Sequence, residues 1–477
     1  MSDRNETYVS PLESRYAGAE MRELFSAKRR FTTWRRLWLT LARCQKELGL
    51  DITDDQIKEM SEHVQDVDFD KAAEYERESR HDVMAHIRAF GDAAPSARGI
   101  IHLGATSQFV NCNTDLILMR EAMDLLAGKL ANVIDALAAF AEEHRLLPCL
   151  GFTHFQPAQM TTVGKRAAMW CAEFIMDLGD LEYRLDNLAF RGAKGATGTQ
   201  ASFLTLFGGN HEKVKRLDTM VAEEMGFDKV IPVMGQTYSR KVDAAVAAVL
   251  AGVGASVHKF CNDVRLLAGM KEVEEPFETS QVGSSAMAYK RNPMRCERAT
   301  ALARFLMDVA ASPLHTAAEQ WLERTLDDSA NKRLAMSEVF LAADAVLNIV
   351  LNVACGLVVY PAVIRAHVDA ELPFIATESI LMAAVGAGGD RQELHEKIRV
   401  HSQAAARRVK QEGKPNDLLK RLAADADFAG VDIGTLVDSS AVVGRAPQQV
   451  KEFLASQVAP IRKRYAKRLQ QQDELKV

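Results

Sequence analysis

Residues 114–145 read TDLILMREAMDLLAGKLANVIDALAAFAEEHR, and their apolar spacing decides the fold class. Leu116, Met119, Met123, Leu126, Leu130, Val133, Leu137 and Phe140 recur at steps of three or four, which puts them on one face of a continuous helix. Thr114 and Asp115 mark its start, and at 1.5 Å per residue about 30 residues span about 45 Å. Similar periodicity covers about 157–189, 241–272, 295–312 and 331–357. Gln156 and Pro157 open the first of these, and Lys241-Val242-Asp243 opens the second. No run of alternating β-branched residues competes, so any strands are minor. The expected class is all-α, built on a central bundle of very long helices.

Working outward, residues 1–106 read as shorter helices with polar connections, and Gly99–Thr106 as a junction. The bundle occupies 107–360, and Pro361 opens a second set of shorter helices, 361–477. Within that third part GAGGDRQELHEKIR (386–399) is a loop and a helix start, and the charged tail 462–477 is expected to fray or lie on the surface. Helices this long, apolar on more than one side, bury poorly within one chain, so a symmetric oligomer is expected.

The composition is that of a soluble globular protein, and a net charge of −5 argues against a general nucleic-acid binder. Local arginine clusters still allow an anionic small substrate. Seven scattered cysteines with no CxxC pair exclude a disulfide framework and point to a reducing compartment. The polar N-terminus lacks a signal-peptide core, and no apolar run approaches a membrane span. The expected location is therefore the cytoplasm.

Polar islands interrupt the helical pattern: SRY (14–16), RHDVMAH (80–86), HLGATS (102–107), GFTHFQPAQ (151–159), GQTYSRK (235–241), GSSAMAYKRNP (283–293) and ERTLDDSANKR (323–333). His81 and His86 are five apart, about 140° around a helix, whereas a metal pair needs a spacing of four. No metal is expected there; Arg80 and His81 instead face an anionic ligand. His154, just before Gln156-Pro157, reads as a loop histidine delivered at a helix start, able to move a proton near neutral pH. In the 283–293 island Gly283 frees the backbone and Pro293 stops a helix. Consecutive Gly-Ser-Ser N–H groups suit an oxyanion, while Lys290 and Asn292 add a cation and an amide. This reads as a loop that closes over a ligand. The sequence alone does not separate Ser284 from Ser285 as its reactive hydroxyl.

GSSAMAYKRNP resembles the signature loop of the fumarase/aspartase superfamily, usually G-S-x-x-M-P-x-K-x-N-P. With RHDVMAH, IHLGATS, THFQPAQ, GATGTQASF and ERTLDDSANKR, the chain is similar to the adenylosuccinate lyase family over almost its whole length. The resemblance implies three mostly helical domains (1–106, 107–360 and 361–477), with the central bundle shared in a homotetramer whose active sites draw on three subunits. It implies elimination of fumarate from adenylosuccinate, giving AMP, and from the succinylated aminoimidazole carboxamide ribotide of purine synthesis. No cofactor is implied.

Matched motif by motif, Ser284 is the implied base and His154 the acid. A serine base needs a desolvated loop with N–H donors and a nearby cation. Lys290 either holds that alkoxide or binds a succinyl carboxylate, and Asn292 supports the same carboxylates. Arg15, Tyr16, Arg324, Ser329 and Arg333 suit the nucleotide phosphate and its surroundings. Arg80, His81 and Asp82 line the same region, Thr106 and Ser107 hold a succinyl carboxylate, and Gln236 and Arg298 contact substrate. Two departures stand out. Ala288 replaces the loop proline, which loosens the backbone, and Phe152 stands where shorter forms often place Arg. The sister argininosuccinate lyase lacks the RHDVMAH island, and an inactive relative has no need of an intact Ser284, His154 and Lys290.

Overall fold

The computed structural model describes residues 6–278, 281, 287, 289–437 and 442–470. Its elements used below are α1 (Ala27–Glu47), α2 (Phe69–Ser79), α3 (Asp82–Ala93), α4 (Ser107–Glu143), β1 (Pro148–Thr153), β2 (Gln156–Thr162), α5 (Val163–Asn187), α6 (Lys241–Gly269), β3 (Val273–Glu274), α7 (Met294–Ala310), α8 (Asp328–Gly356), β4 (Val358–Val359) and α9 (Arg391–Glu412). The only described strands form two small antiparallel pairs, β1–β2 and β3–β4.

All eight apolar positions read from residues 114–145 are buried. The other side of α4 is buried too, through Ile117, Ala127, Ala131, Ile134 and Ala138. Helix α4 therefore runs through the core, packed on α5 and α8; α6 lies against α5, α7 and α8, and α7 against α8. It starts at Ser107 rather than near Thr114. Its first two turns carry buried Gln108, Asn111, Asn113 and Thr114, which read as loop because they are polar. Asn113 explains one of them: its amide donates to the Gly192 carbonyl at 3.2 Å and accepts from the Gly192 N–H at 3.1 Å.

The second long helix also departs from expectation. Gln156 and Pro157 open strand β2 of a hairpin, not a helix. Helix α5 begins only at Val163, capped by the Thr162 hydroxyl on the Lys165 N–H. Gly164 lets this end approach α4 closely: an added β-carbon would stand 2.3 Å from the Ala141 carbonyl oxygen. Two core helices, α6 and α8, are long and apolar enough to cross a membrane, contrary to the sequence expectation; half or more of each apolar stretch is buried in the bundle.

Beyond residue 375 a separate hydrophobic cluster gathers Ala376, Ile380, Leu394, Ile398, Leu422 and Phe428 around α9. Asp390 caps α9 through the N–H groups of Gln392 and Glu393, as the 386–399 pattern anticipated. The described part of the tail lies on the bundle surface, the second of its two expected outcomes. Ile461 and Tyr465 join the main core, while Arg462 pairs with Asp135, Arg464 with Glu182 and Arg468 with Asp124. None of the seven cysteines, all within the described residues, forms a disulfide.

Candidate active site

A cavity of about 470 Å³ opens where the start of α3, the start of α4, the segment before α6 and the start of α8 converge. Each element ends there for a local reason. Arg80 closes α2 in the left-handed conformation, φ 54°, turning the chain so that His81 can cap α3. The His81 Nδ1 accepts the Met84 N–H at 3.4 Å, which leaves Nε2 to carry the proton and donate to Ser107 Oγ at 3.2 Å. Asp82 accepts the Val83 N–H at 2.8 Å and, through its other oxygen, Arg333 Nη2 at 2.8 Å.

Across the cavity Gln236 joins two further islands. Its amide donates to Thr106 Oγ1 at 3.4 Å, and its carbonyl accepts Arg324 Nη1 at 2.7 Å. The Gln108 side-chain carbonyl, oriented toward Arg324, accepts both terminal nitrogens at 3.0 and 3.1 Å. Buried Arg191 fixes the backbone here by donating to the Gln236 carbonyl at 2.8 Å. The 191–200 loop is held in turn by Asp218, which accepts the Ala193 N–H at 2.7 Å and pairs with buried Lys194.

Nine expected residues therefore line one cavity: Arg80, His81, Asp82, Thr106, Ser107, Gln236, Arg324, Ser329 and Arg333. Sequence reading missed Arg30, Glu76, Gln108, Asn111, Asp328 and Lys332. Ser107 and Asn111, four apart on α4, carried a usable same-face signal. Arg30 carried none, being one of three consecutive basic residues at the start of α1. Five cations (Arg30, Arg80, Arg324, Lys332, Arg333) face three carboxylates (Glu76, Asp82, Asp328), in a chain whose net charge is −5. Such a surplus of guanidinium and ammonium groups suits phosphate or carboxylate.

A model for a family described as lyase matches residues 17–307, and one described as adenylosuccinate lyase C-terminus matches residues 373–453. The adenylosuccinate lyase of Saccharomyces cerevisiae is 54% identical over 458 residues, 95% of each chain. That of Schizosaccharomyces pombe is equally similar, and that of Schistosoma mansoni is 50% identical over 96% of each chain. This chain belongs to the adenylosuccinate lyase family.

Solved structures share the fold of this adenylosuccinate lyase family member. The 3-carboxy-cis,cis-muconate lactonizing enzyme of Pseudomonas putida has a TM-score of 0.81 at 22% identity, covering 95% of this chain and 99% of its own. A fumarate lyase from Mesorhizobium sp. BNC1 has a TM-score of 0.80 at 25% identity, covering 94% and 100%.

Six of the family-matched residues lie outside the cavity. Arg15 is exposed, and Tyr16 packs against the core. Lys290 is exposed, while Asn292 and Arg298 are half-buried around the start of α7. His154 sits exposed at the tip of the β1–β2 hairpin, a correction to its expected place at a helix start. It and Phe155 form the two-residue turn, both left-handed, with φ 53° and 56°. The departing residue Phe152 is half-buried and packs against Phe155, ring centres 5.8 Å apart. Ser284, Ser285 and Ala288 lie outside the described residues. His86, the other member of the 80–86 pair, is no ligand: it is buried against Phe31, ring centres 3.8 Å apart, and burial pushes it down to about 4.

Proposed function

We propose that this protein eliminates fumarate from adenylosuccinate, leaving AMP, and from the succinylated aminoimidazole carboxamide ribotide, leaving the carboxamide, in purine biosynthesis. The observation that carries this reading is the cationic cavity in an acidic family member, suited to a nucleotide phosphate and a succinyl group together.

In this reading Ser284 removes a proton from the succinyl carbon next to a carboxylate. The electron pair first spreads into that carboxylate. It then forms the fumarate double bond as the carbon–nitrogen bond breaks and His154 protonates the departing nitrogen. Thr106, Ser107, Lys290 and Asn292 hold the succinyl carboxylates, where donors stabilise the carbanion more than the ground state. Arg15, Tyr16, Arg324, Ser329 and Arg333 take the phosphate end, with Arg80, His81 and Asp82 beside them and Gln236 and Arg298 in substrate contact. A homotetramer supplies what one chain leaves apart: His154, Lys290 and Asn292 reach the cavity from neighbouring copies. The chain divides for this purpose at 1–106, 107–360 and 361–477, and works in the cytoplasm without a cofactor.

The test is fumarate release from adenylosuccinate by the purified protein at neutral pH, without added metal. Release at enzymatic rates supports the reading. A folded oligomer that releases none overturns it.

A further inference from the structure

Beneath the cavity floor lies a cation with no part in the scheme above. Arg240, one residue before α6, is 1% exposed. Its Nε and Nη2 both lie 2.8 Å from Asp328 Oδ2, and its Nη1 is 3.5 Å from Asp243 Oδ2. Tyr238 donates to the other Asp243 oxygen at 2.6 Å and offers its ring face to Arg240, 4.4 Å from guanidinium carbon to ring centre. Asp328 is equally buried, yet it lines the cavity. Its Oδ1 accepts no hydrogen bond and faces Arg324 Nη2 at 3.9 Å. One carboxylate thus stands between two guanidiniums, one sealed below and one at the cavity.

We infer that Arg240 is a positioning residue: by engaging Asp328 from below, it keeps that carboxylate from closing onto Arg324 and leaves the Arg324 charge for an anionic ligand. Arg324 is otherwise held by the neutral acceptors Gln236 and Gln108. Of the other cations lining the cavity, Lys332 pairs with Asp115, Arg30 lies 3.7 Å from it, and Arg333 pairs with Asp82. Without Arg240 the buried Asp328 would lack its hydrogen-bonded partner, a state strongly disfavoured in a low dielectric. The nearest cation is Arg324, less than 1.5 Å beyond hydrogen-bonding range, taking that range as about 2.7–2.9 Å for a charged pair. Closure of that pair would neutralise a cation that the substrate phosphate needs. A purely structural role for Arg240 predicts instead that any loss of the pair harms folding and leaves ligand affinity per folded molecule unchanged.

The inference rests on the proposed role of Arg324, so it is tested with full-length protein by two independent readouts: steady-state fumarate release, and calorimetric binding of inorganic phosphate. Arg240→Gln is expected to raise KM and the phosphate Kd about tenfold with kcat within about threefold, a split that marks lost ligand binding. Arg240→Lys, which keeps a charge but loses the two-nitrogen grip on Asp328 and the stacking on Tyr238, should fall between Arg240→Gln and the native values. The decisive variant is Arg240→Gln with Asp328→Asn, where removing the carboxylate as well should bring KM and Kd back to within about threefold of native. A double variant no better than Arg240→Gln alone overturns the inference. If Arg240→Gln does not fold, Asp328→Asn carries the test: phosphate should bind it about threefold or more tighter, because the competing charge is gone. Equal or weaker binding refutes it. Native protein that binds phosphate but releases no fumarate would sink the proposed reaction while leaving the charge argument open to the same phosphate series.

Discussion

Acidification should weaken this fold through His86, and the size of the effect follows from its surroundings. The ring is 5% exposed, stacked on Phe31 and edge-on to Trp34, with Arg35 close by. Burial first, and the Arg35 charge second, push it down to about 4, against an ordinary 6.5. Below pH 6.5 the unfolded chain therefore takes up a proton that the folded chain refuses. The stability held at neutral pH is lost as pH falls from 6.5 toward 4, and a two-state proton balance puts the loss at about 2 kcal/mol by pH 5. His102 adds in the same direction: burial and the neighbouring His81 lower it to about 4 as well, while its Nδ1 accepts the Trp38 indole N–H at 2.9 Å. Urea unfolding at about pH 7.5, 6 and 5, which bracket the ordinary value, reads the slope. His86→Phe keeps an aromatic ring on Phe31 and removes the titration, so its loss between the two extremes should be smaller by about 2 kcal/mol. Native and variant protein losing equal stability over that range would refute the argument.

Three further outcomes are expected. Gly164→Ala should destabilise by roughly 2–3 kcal/mol, because its β-carbon meets the Ala141 carbonyl and the Arg145 backbone rather than a movable side chain; the melting temperature and soluble yield report this. Lys194→Met leaves Asp218 buried without its cation and should cost roughly 3–5 kcal/mol, with Asp218→Asn in the same chain recovering much of it in the same denaturation assay. Ser284→Ala should keep the fold and substrate binding and lose nearly all fumarate release, whereas Ser285→Ala should matter less; near-normal turnover in the first variant would remove Ser284 as the base.

The long helices were legible because burial repeats at the helical period, and every apolar position chosen on α4 is buried. Its first two turns were not, since Gln108, Asn111 and Asn113 turn polar groups inward, toward the cavity or the 191–200 loop. The hairpin ahead of α5 was hidden by Gln156-Pro157, a pair that opens a strand here and a helix elsewhere. Residues of four islands far apart in sequence line one cavity, a grouping that the sequence reading drew from the family resemblance rather than from spacing. What the sequence concealed was the support beneath them. Arg191 and Arg240 were not singled out in the sequence, and only the packed chain shows them sealed, one gripping the Gln236 backbone and the other Asp328.

The turn at the tip of β1–β2 has a consequence for anyone reshaping this protein. A two-residue hairpin with both residues left-handed is the turn for which Asn-Gly is the favoured pair, yet it holds His154 and Phe155. Substituting Asn-Gly would relieve roughly 1–2 kcal/mol of backbone strain. A library selected for heat resistance alone should therefore drift toward Asn-Gly at these two positions and discard the imidazole on the way. Laboratory evolution of a hardier variant would need a growth or turnover filter at every round, or it would arrive at a sturdier protein with an empty fingertip.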